Sequence, residues 1–195
     1  MRRIVFATNN SNKIKEVQEL LGEQYQFLSL ADIGCHEEIP ETTGTIPGNA
    51  LQKAQYVHSN YREDCFSEDT GLEVDALDGI PGVDTAFYAG PQRSAQDNMT
   101  KLLGALNGHT DRSAQFRTVI ALILDGQEHL FEGIVRGKIA TQQAGAKGFG
   151  DDPIFIPDGY NRTFAEMTAA EKNAISHRGQ AVAKLHAFLQ QLANA

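Results

Sequence analysis

Glu171 to Arg178 reads E-K-N-A-I-S-H-R and places three potential cations, Lys172, His177 and Arg178, within seven residues. Upstream, Gly148 to Phe155 reads G-F-G-D-D-P-I-F, an aromatic between two glycines followed by two carboxylates. Such residues suit recognition of a flat heterocycle. Phe149 offers a ring to stack on a purine and lets a ligand approach closely, because Gly148 and Gly150 lack side chains. Asp151 lies in the same run, and Asp152 could accept from the base or ribose, or hold Arg178. If the helix breaks at Ser176, His177 and Arg178 can both turn toward a ligand. Donors aimed at a six-position oxygen favour hypoxanthine or xanthine over adenine, because a buried donor left unpaired costs about 1–3 kcal/mol. The plainer alternative is that Glu171, Lys172 and Arg178 form exposed ion pairs worth little.

A second constellation begins with T-N-N-S-N-K, Thr8 to Lys13, directly after the apolar run Ile4-Val5-Phe6-Ala7. A strand that turns into a helix presents backbone N–H groups with partial positive charge to an anion. Asn9, Asn10 and Ser11 can add side-chain donors, and Lys13 can reach a phosphate. Ser11 or Asn12 acting only as a helix cap is the alternative. The G-x-x-x-x-G-K-[ST] loop is absent. Lys53 is a candidate second phosphate cation, or a solvated helix lysine.

Carboxylates complete the set. Glu41 lies in I-P-E-T-T-G, and Glu68 and Asp69 precede Thr70-Gly71. Hard oxygen ligands from loops suit Mg²⁺, and a carboxylate beside such a metal can take a proton from an attacking water. Asp69 is the better base candidate, because a strand-to-glycine turn would present it at a sheet edge. Acidic turns are also ordinary solvated structure.

The elements that must position these groups follow from periodicity. Strands are expected at Arg3 to Ala7, Tyr25 to Leu30, Cys65 to Ser67 and Ile154 to Ile156. Helices are expected at Ser11 to Leu21, with Ile14, Val17, Leu20 and Leu21 inward; at Asn49 to Tyr61; at Ser94 to Leu106; and at Gln180 to Leu192. Ile39 to Gly48 reads as a loop, and Leu72 to Leu77 fits either a strand or a short helix. Ala114 to Leu124 and His129 to Ile139 read as an antiparallel pair around Asp125-Gly126. Alternating strands and helices followed by a hairpin predict an α/β fold with a mixed sheet. The 195 residues form one domain, with a possible second lobe from about residue 76 to 139.

The formal net charge of −8 argues against sequence-independent nucleic-acid binding. Cys35 and Cys65 lack metal-ligand spacing and read as reduced thiols. The first apolar run is too short for a signal peptide, and nothing approaches a membrane span. The expected location is the cytoplasm.

Taken in order, these motifs resemble the inosine triphosphate pyrophosphatase family. The resemblance rests on T-N-N-S-N-K, E-T-T-G-T with N-A-L-Q-K-A from Glu41 to Ala54, E-D-T-G-L-E-V-D-A-L from Glu68, P-G-V from Pro81, G-F-G-D-D-P-I-F, and E-K-N-A-I-S-H-R-G. It runs from about Ile4 to Leu185. It implies a homodimer, an elongated mixed sheet flanked by helices, and a substrate cleft between two lobes. The implied reaction is Mg²⁺-dependent cleavage of ITP, dITP and XTP to the monophosphate and pyrophosphate, which cleanses the nucleotide pool. Thr8 to Lys13 would bind the triphosphate. Glu41 and Asp69 would bind the metal, Glu68 less securely. Asp69 would be the proton acceptor, and Thr70 would contact substrate. Phe149, Gly150, Asp151, Asp152, Lys172, His177 and Arg178 would hold the nucleoside. Five positions depart from the family pattern: Gly48 stands near a usual Glu, Glu68 at a usual Asp, Thr70 at a common Ser, Phe87 at a usual Arg, and Asp151 at a common Tyr. A nucleotide sensor without catalysis, or a pyrophosphatase for modified pyrimidine nucleotides, are the competing readings.

Overall fold

A computed structural model covers residues 1–195 and describes all of them except the side chains of Asn12 and Glu16. In chain order the elements are β1 (Arg2–Phe6), α1 (Ser11–Leu21), β2 (Tyr25–Leu28), α2 (Ile46–Tyr61), β3 (Cys65–Val74), β4 (Pro81–Gly82), α3 (Ala95–Ala105), β5 (Ser113–Leu124), β6 (Gln127–Ile139), β7 (Phe155–Pro157), α4 (Ala169–Ile175) and α5 (His177–Ala193). The seven strands form a mixed sheet of order β2-β1-β3-β5-β6-β7, with β4 paired to β3. β1 runs parallel to β2 and β3, whereas β4 is antiparallel to β3 and β7 to β6. The expected α/β fold with a mixed sheet flanked by helices is borne out. No helix among the described residues is long and apolar enough to cross a membrane.

The chain divides into two compact units. The first comprises Met1–Asp69, Val119–Glu132 and Ala181–Ala195. The second comprises Thr70–Thr118 and Gly133–Gln180. Each has its own apolar core. In the first, Phe6 stacks on Phe66 with centroids 4.4 Å apart, and Phe27 meets Phe66 edge-on at 5.8 Å. Val17 and Leu21 of α1, and Leu185 and Leu189 of α5, close over these rings. In the second, Phe116, Phe155 and Phe164 form the aromatic centre, with Leu72, Met99 and Leu102 packed around it.

Helix α1 has the expected bounds, but Leu20 is 59% exposed. At 100° per residue, Ile14, Val17 and Leu21 share a narrow stripe, and Leu20 falls about 100° to one side of Leu21. Helix α2 begins three residues before the expected Asn49. Thr45 caps it by accepting from Gly48 N–H at 3.0 Å, and Pro47 in the first turn is pre-set for helical φ. The hairpin forms around Asp125 and Gly126, both at positive φ, as a two-residue turn of the primed type requires.

The main departure from expectation lies in β3. Glu68-Asp69-Thr70-Gly71 was expected to end a strand in a turn, but β3 runs unbroken through all four residues to Val74. β3 lies between β1 and β5, so Asp69 stands within an inner strand and not at a sheet edge. Pairing decides this. In the second unit the hydroxyls of Thr70 and Thr118 meet at 2.8 Å, and long-range pairing outweighs the turn tendency of Asp-Thr-Gly.

Candidate functional site

The carboxylate set is built in the first unit by fastening α2 onto β3. The Cys65 thiol donates to the Ala54 carbonyl at 3.1 Å, and the Ser67 hydroxyl donates to the Ala50 carbonyl. Ala50, Ala54 and Val57 pack without exposure, so the helix lies close against the strand. That register carries Lys53 to the strand. Its ammonium donates to the Glu68 carbonyl oxygen at 2.7 Å, lies 2.8 Å from Glu41 Oε1 and 3.9 Å from Asp69 Oδ1. Burial pushes the Cys65 thiol up to about 12, which leaves it a weak nucleophile and a structural donor.

Glu41 arrives by a loop that is tied to the same helix. Buried Asn49 accepts from the Thr43 N–H at 3.0 Å and from the Thr43 hydroxyl at 2.8 Å. Gln52 accepts from Thr42 N–H at 2.8 Å and donates to the Thr42 hydroxyl at 2.9 Å. Gly48 is required by this packing, because a Cβ there would lie 2.3 Å from Thr43 Oγ1. Asn49 and Gln52 position the loop and were not singled out from the sequence. Their signal was a polar pair, three residues apart, on a helix following two threonines.

At the turn between β1 and α1, the cap is Asn10. Its Oδ1 accepts from Lys13 N–H at 3.2 Å. Asn10 N–H donates to Thr8 Oγ1 at 3.1 Å, and Asn9 Oδ1 accepts from Ala31 N–H at 2.8 Å. Those two asparagine oxygens therefore hold the turn. Asn12 lies outside the described side chains. The Lys13 ammonium lies 2.9 Å from Glu68 Oε1. A groove of about 430 Å³ beside the turn is lined by Asn9, Ser11, Ser29 and Asp32 among others, and by none of the three carboxylates.

Glu41, Glu68 and Asp69 are hard oxygen donors balanced by two ammonium groups. Asp69 is 16% exposed and Glu68 10%. Among the described residues no three His, Cys, Asp or Glu side chains are gathered as a ready metal cage. A set of two or three carboxylates without a full cage fits Mg²⁺, which keeps waters and shares its binding with phosphate oxygens.

The second unit carries the aromatic set. Gly148 and Gly150 take positive φ on either side of Phe149, whose side chain is 62% exposed. Asp152 is buried beneath. Its Oδ2 accepts from Phe149 N–H at 3.0 Å and from Lys172 Nζ at 2.6 Å. A Cβ at Gly148 would stand 2.2 Å from that oxygen, so the loop closes only with glycine there. Lys172 Nζ lies 4.5 Å from the Phe149 ring centroid, and the Arg178 guanidinium lies 5.4 Å from it. Asp151 is buried beside Asp152. Desolvation, then the neighbouring carboxylate, pushes it up to about 7.

The break at Ser176, on which the turning of His177 and Arg178 was conditional, is present. Ser176 is extended between α4 and α5, and its hydroxyl accepts from Gly179 N–H at 3.0 Å, starting the second helix. A Cβ at Gly179 would meet the Asn173 carbonyl at 2.2 Å, so glycine permits the tight step. The break separates two fates. His177 turns inward and stacks on Phe116, centroids 4.7 Å apart and planes 17° from parallel. Arg178 goes to Phe149. Glu171 closes a capping box with Thr168 and pairs with Arg162. The Thr168 N–H first, then Arg162, hold its carboxyl at about 2. Glu171 is a structural cap. At the departure at Phe87, the Arg93 guanidinium lies 4.3 Å from the ring centroid.

These features fit known proteins over nearly the full chain. Residues 4–188 match the model of the Ham1 family. The dITP/XTP pyrophosphatase of Flavobacterium psychrophilum is 54% identical over 188 residues, covering 96% of this chain and 99% of that protein. The protein of the same name from Flavobacterium johnsoniae is 55% identical over 183 residues, covering 94% and 95%. The solved Staphylococcus aureus Ham1 protein superposes with a TM-score of 0.94 at 36% identity, covering 97% of this chain and 99% of that one. The resemblance carried by the sequence motifs is thus borne out, and the chain belongs to the Ham1 family.

Proposed function

We propose that this protein hydrolyses the non-standard purine nucleoside triphosphates ITP, dITP and XTP to the monophosphate and pyrophosphate, and so cleanses the nucleotide pool. The observation that carries the reading is the charge cluster in which the Lys53 ammonium meets the Glu41 and Asp69 carboxylates while the neighbouring Glu68 carboxylate meets Lys13, in a chain whose full-length relatives are named dITP/XTP pyrophosphatases.

The roles follow from chemistry. Glu41 and Asp69, with Glu68 beside them, would hold Mg²⁺. When bound, the ion would offset the negative charge of the phosphate oxygens. Asp69 would take the proton of the attacking water. Lys13, Lys53 and the start of α1 would bind the triphosphate, with Thr8, Asn9, Asn10, Ser11 and Asn12 shaping the turn. Thr70 would contact substrate through its hydroxyl.

Phe149 would stack on the base through its exposed face, with Lys172 and Arg178 supplying positive charge and donors. Gly150, Asp151 and Asp152 would shape and charge the loop beneath it, and His177 would stiffen the wall through its stack on Phe116. A site that offers donors to a ring oxygen rejects an amino group in the same place by leaving those donors unpaired. We further propose a cytoplasmic homodimer. Light scattering at low concentration checks the dimer, and a monomer-sized particle would count against it.

The decisive assay is pyrophosphate release from dITP, XTP, dATP and dGTP, with Mg²⁺ and with a chelator. Rapid release from the first two, dependent on the metal, is expected. Equal turnover of all four, or binding without release, would overturn the reading. The latter result would favour a sensor, and preference for modified pyrimidines would move the substrate class.

A further inference from the structure

Within the first unit, the loop that carries Glu41 runs along α2 in the opposite direction. In chain order Glu37, Glu41, Thr42 and Thr43 meet Tyr61, Lys53, Gln52 and Asn49, so each step forward on the loop is a step back toward the start of the helix. The segment is a strap laid antiparallel to α2. Its near end is fixed at Cys35, which is 1% exposed and whose N–H donates to the Leu30 carbonyl at 2.9 Å. No turn or bend interrupts residues 38–42. Pro40 has a preset φ, and the residue before a proline favours extended backbone.

The lengths match. From Tyr61 back to Lys53 the helix covers eight residues, about 12 Å at its ordinary rise. From Glu37 to Glu41 the chain advances four residues, a reach of about 13 Å when extended. The backbone of the strap therefore has little slack between those two anchors. Glu37 is an exposed residue, of a kind that ordinarily moves freely, yet its Oε1 accepts from the Tyr61 hydroxyl. The Cys35 thiol first, then that hydroxyl, hold its carboxyl at about 2, so the anchor is charged near neutral pH.

We propose that Glu37 is a positioning residue, which through Tyr61 holds taut the strap that delivers Glu41 to a divalent metal ion. The inference rests on the metal-dependent reading given above. Glu37 acts through the loop and takes no part in ligation or in breaking the phosphate bond. Without its anchor the strap is fastened on one side only, at Thr42 and Thr43, and Glu41 spends part of its time out of place. The apparent affinity for the ion then falls by the fraction of time that Glu41 is in place.

The test measures metal binding and is separate from turnover. Mn²⁺ alone, a spin-active substitute for Mg²⁺, is titrated into the nucleotide-free protein, and the free ion is read by electron spin resonance. Tyr61→Phe keeps the ring and deletes the donor, and Glu37→Ala deletes the acceptor. Each should raise the Mn²⁺ dissociation constant about fivefold, the result of Glu41 being in place about a fifth of the time. The double variant should bind no more weakly than the single ones, because both changes remove one contact. Unaltered affinity in Tyr61→Phe, additive losses in the double variant, or no Mn²⁺ binding by the wild type would overturn the proposal. The two readings fail separately. Robust pyrophosphate release with unaltered Mn²⁺ affinity in the variants sinks only the role of Glu37. Absence of release with the expected affinity changes sinks only hydrolysis.

Discussion

The Lys172 ammonium lies 2.6 Å from Asp152 Oδ2, with both side chains largely withdrawn from water. A pair of this kind is costly to break from one side, because the remaining charge stays buried. Lys172→Met should therefore destabilise the protein by about 3 kcal/mol in urea unfolding, and the double variant with Asp152→Asn should recover much of the loss. Additive losses would show that the pair does not act as a unit.

Asp69 faces a different test. It sits in the middle of β3 with Lys53 Nζ 3.9 Å from its Oδ1. Asp69→Asn keeps the shape and removes the carboxylate proposed to accept the proton. Turnover of dITP should fall at least about 100-fold while the thermal midpoint stays within a few degrees. Full activity in this variant would take Asp69 out of its role.

Gly48 links helix packing to the loop that carries Glu41, a proposed metal ligand. Gly48→Ala would drive its Cβ into Thr43 Oγ1, now 2.3 Å from that position, and cost the hydroxyl its bond to Asn49. The loss in stability should be about 1 kcal/mol. The clearer readout is the Mg²⁺ concentration for half-maximal activity, which should rise several-fold as the Glu41 loop loosens. An unchanged metal requirement would separate the loop from metal binding.

Asp151 gives the pH dependence its sign. Its folded value, about 7, lies above its ordinary 3.8, so between these the folded protein keeps a proton that the unfolded chain has lost. Stability therefore falls as pH rises through this window, by up to about 4 kcal/mol if nothing relaxes. Asp151→Asn should flatten that fall and be the more stable protein at pH 8 or so. Denaturation at several pH values measures it, and parallel curves for the two proteins would contradict it.

Where local pattern decides structure, the sequence was read correctly. The bounds of α1, the 125–126 turn of the hairpin and the break at Ser176 all follow from spacing, turn residues and capping. Long-range partners were less legible. Asp-Thr-Gly has turn chemistry, and only pairing with neighbouring strands, seen at Thr70 and Thr118, extends β3 through it. The early start of α2 depended on Thr45 and Pro47, which look like loop residues until the helix is there to cap. In the candidate site, residue types indicated charge but not pairing. Lys172 lies twenty residues after Asp152, and no periodicity joins a loop to a helix at that distance. Asn49 and Gln52 stayed hidden because their work is to hold other residues, a role that carries no compositional mark.

Two short donors, the thiol of Cys65 and the hydroxyl of Ser67, stitch a strand to the carbonyls of Ala54 and Ala50. Their seam sets how far Lys53 must extend. A methyl in place of either heteroatom would let the helix ride outward by a fraction of an ångström, and the ammonium, anchored on one side of that gap, would lose its grip on the acids across it. Inactivating lesions are thus expected at residues that no ligand ever touches, and conservative core substitutions along this stitch should resemble charge deletions.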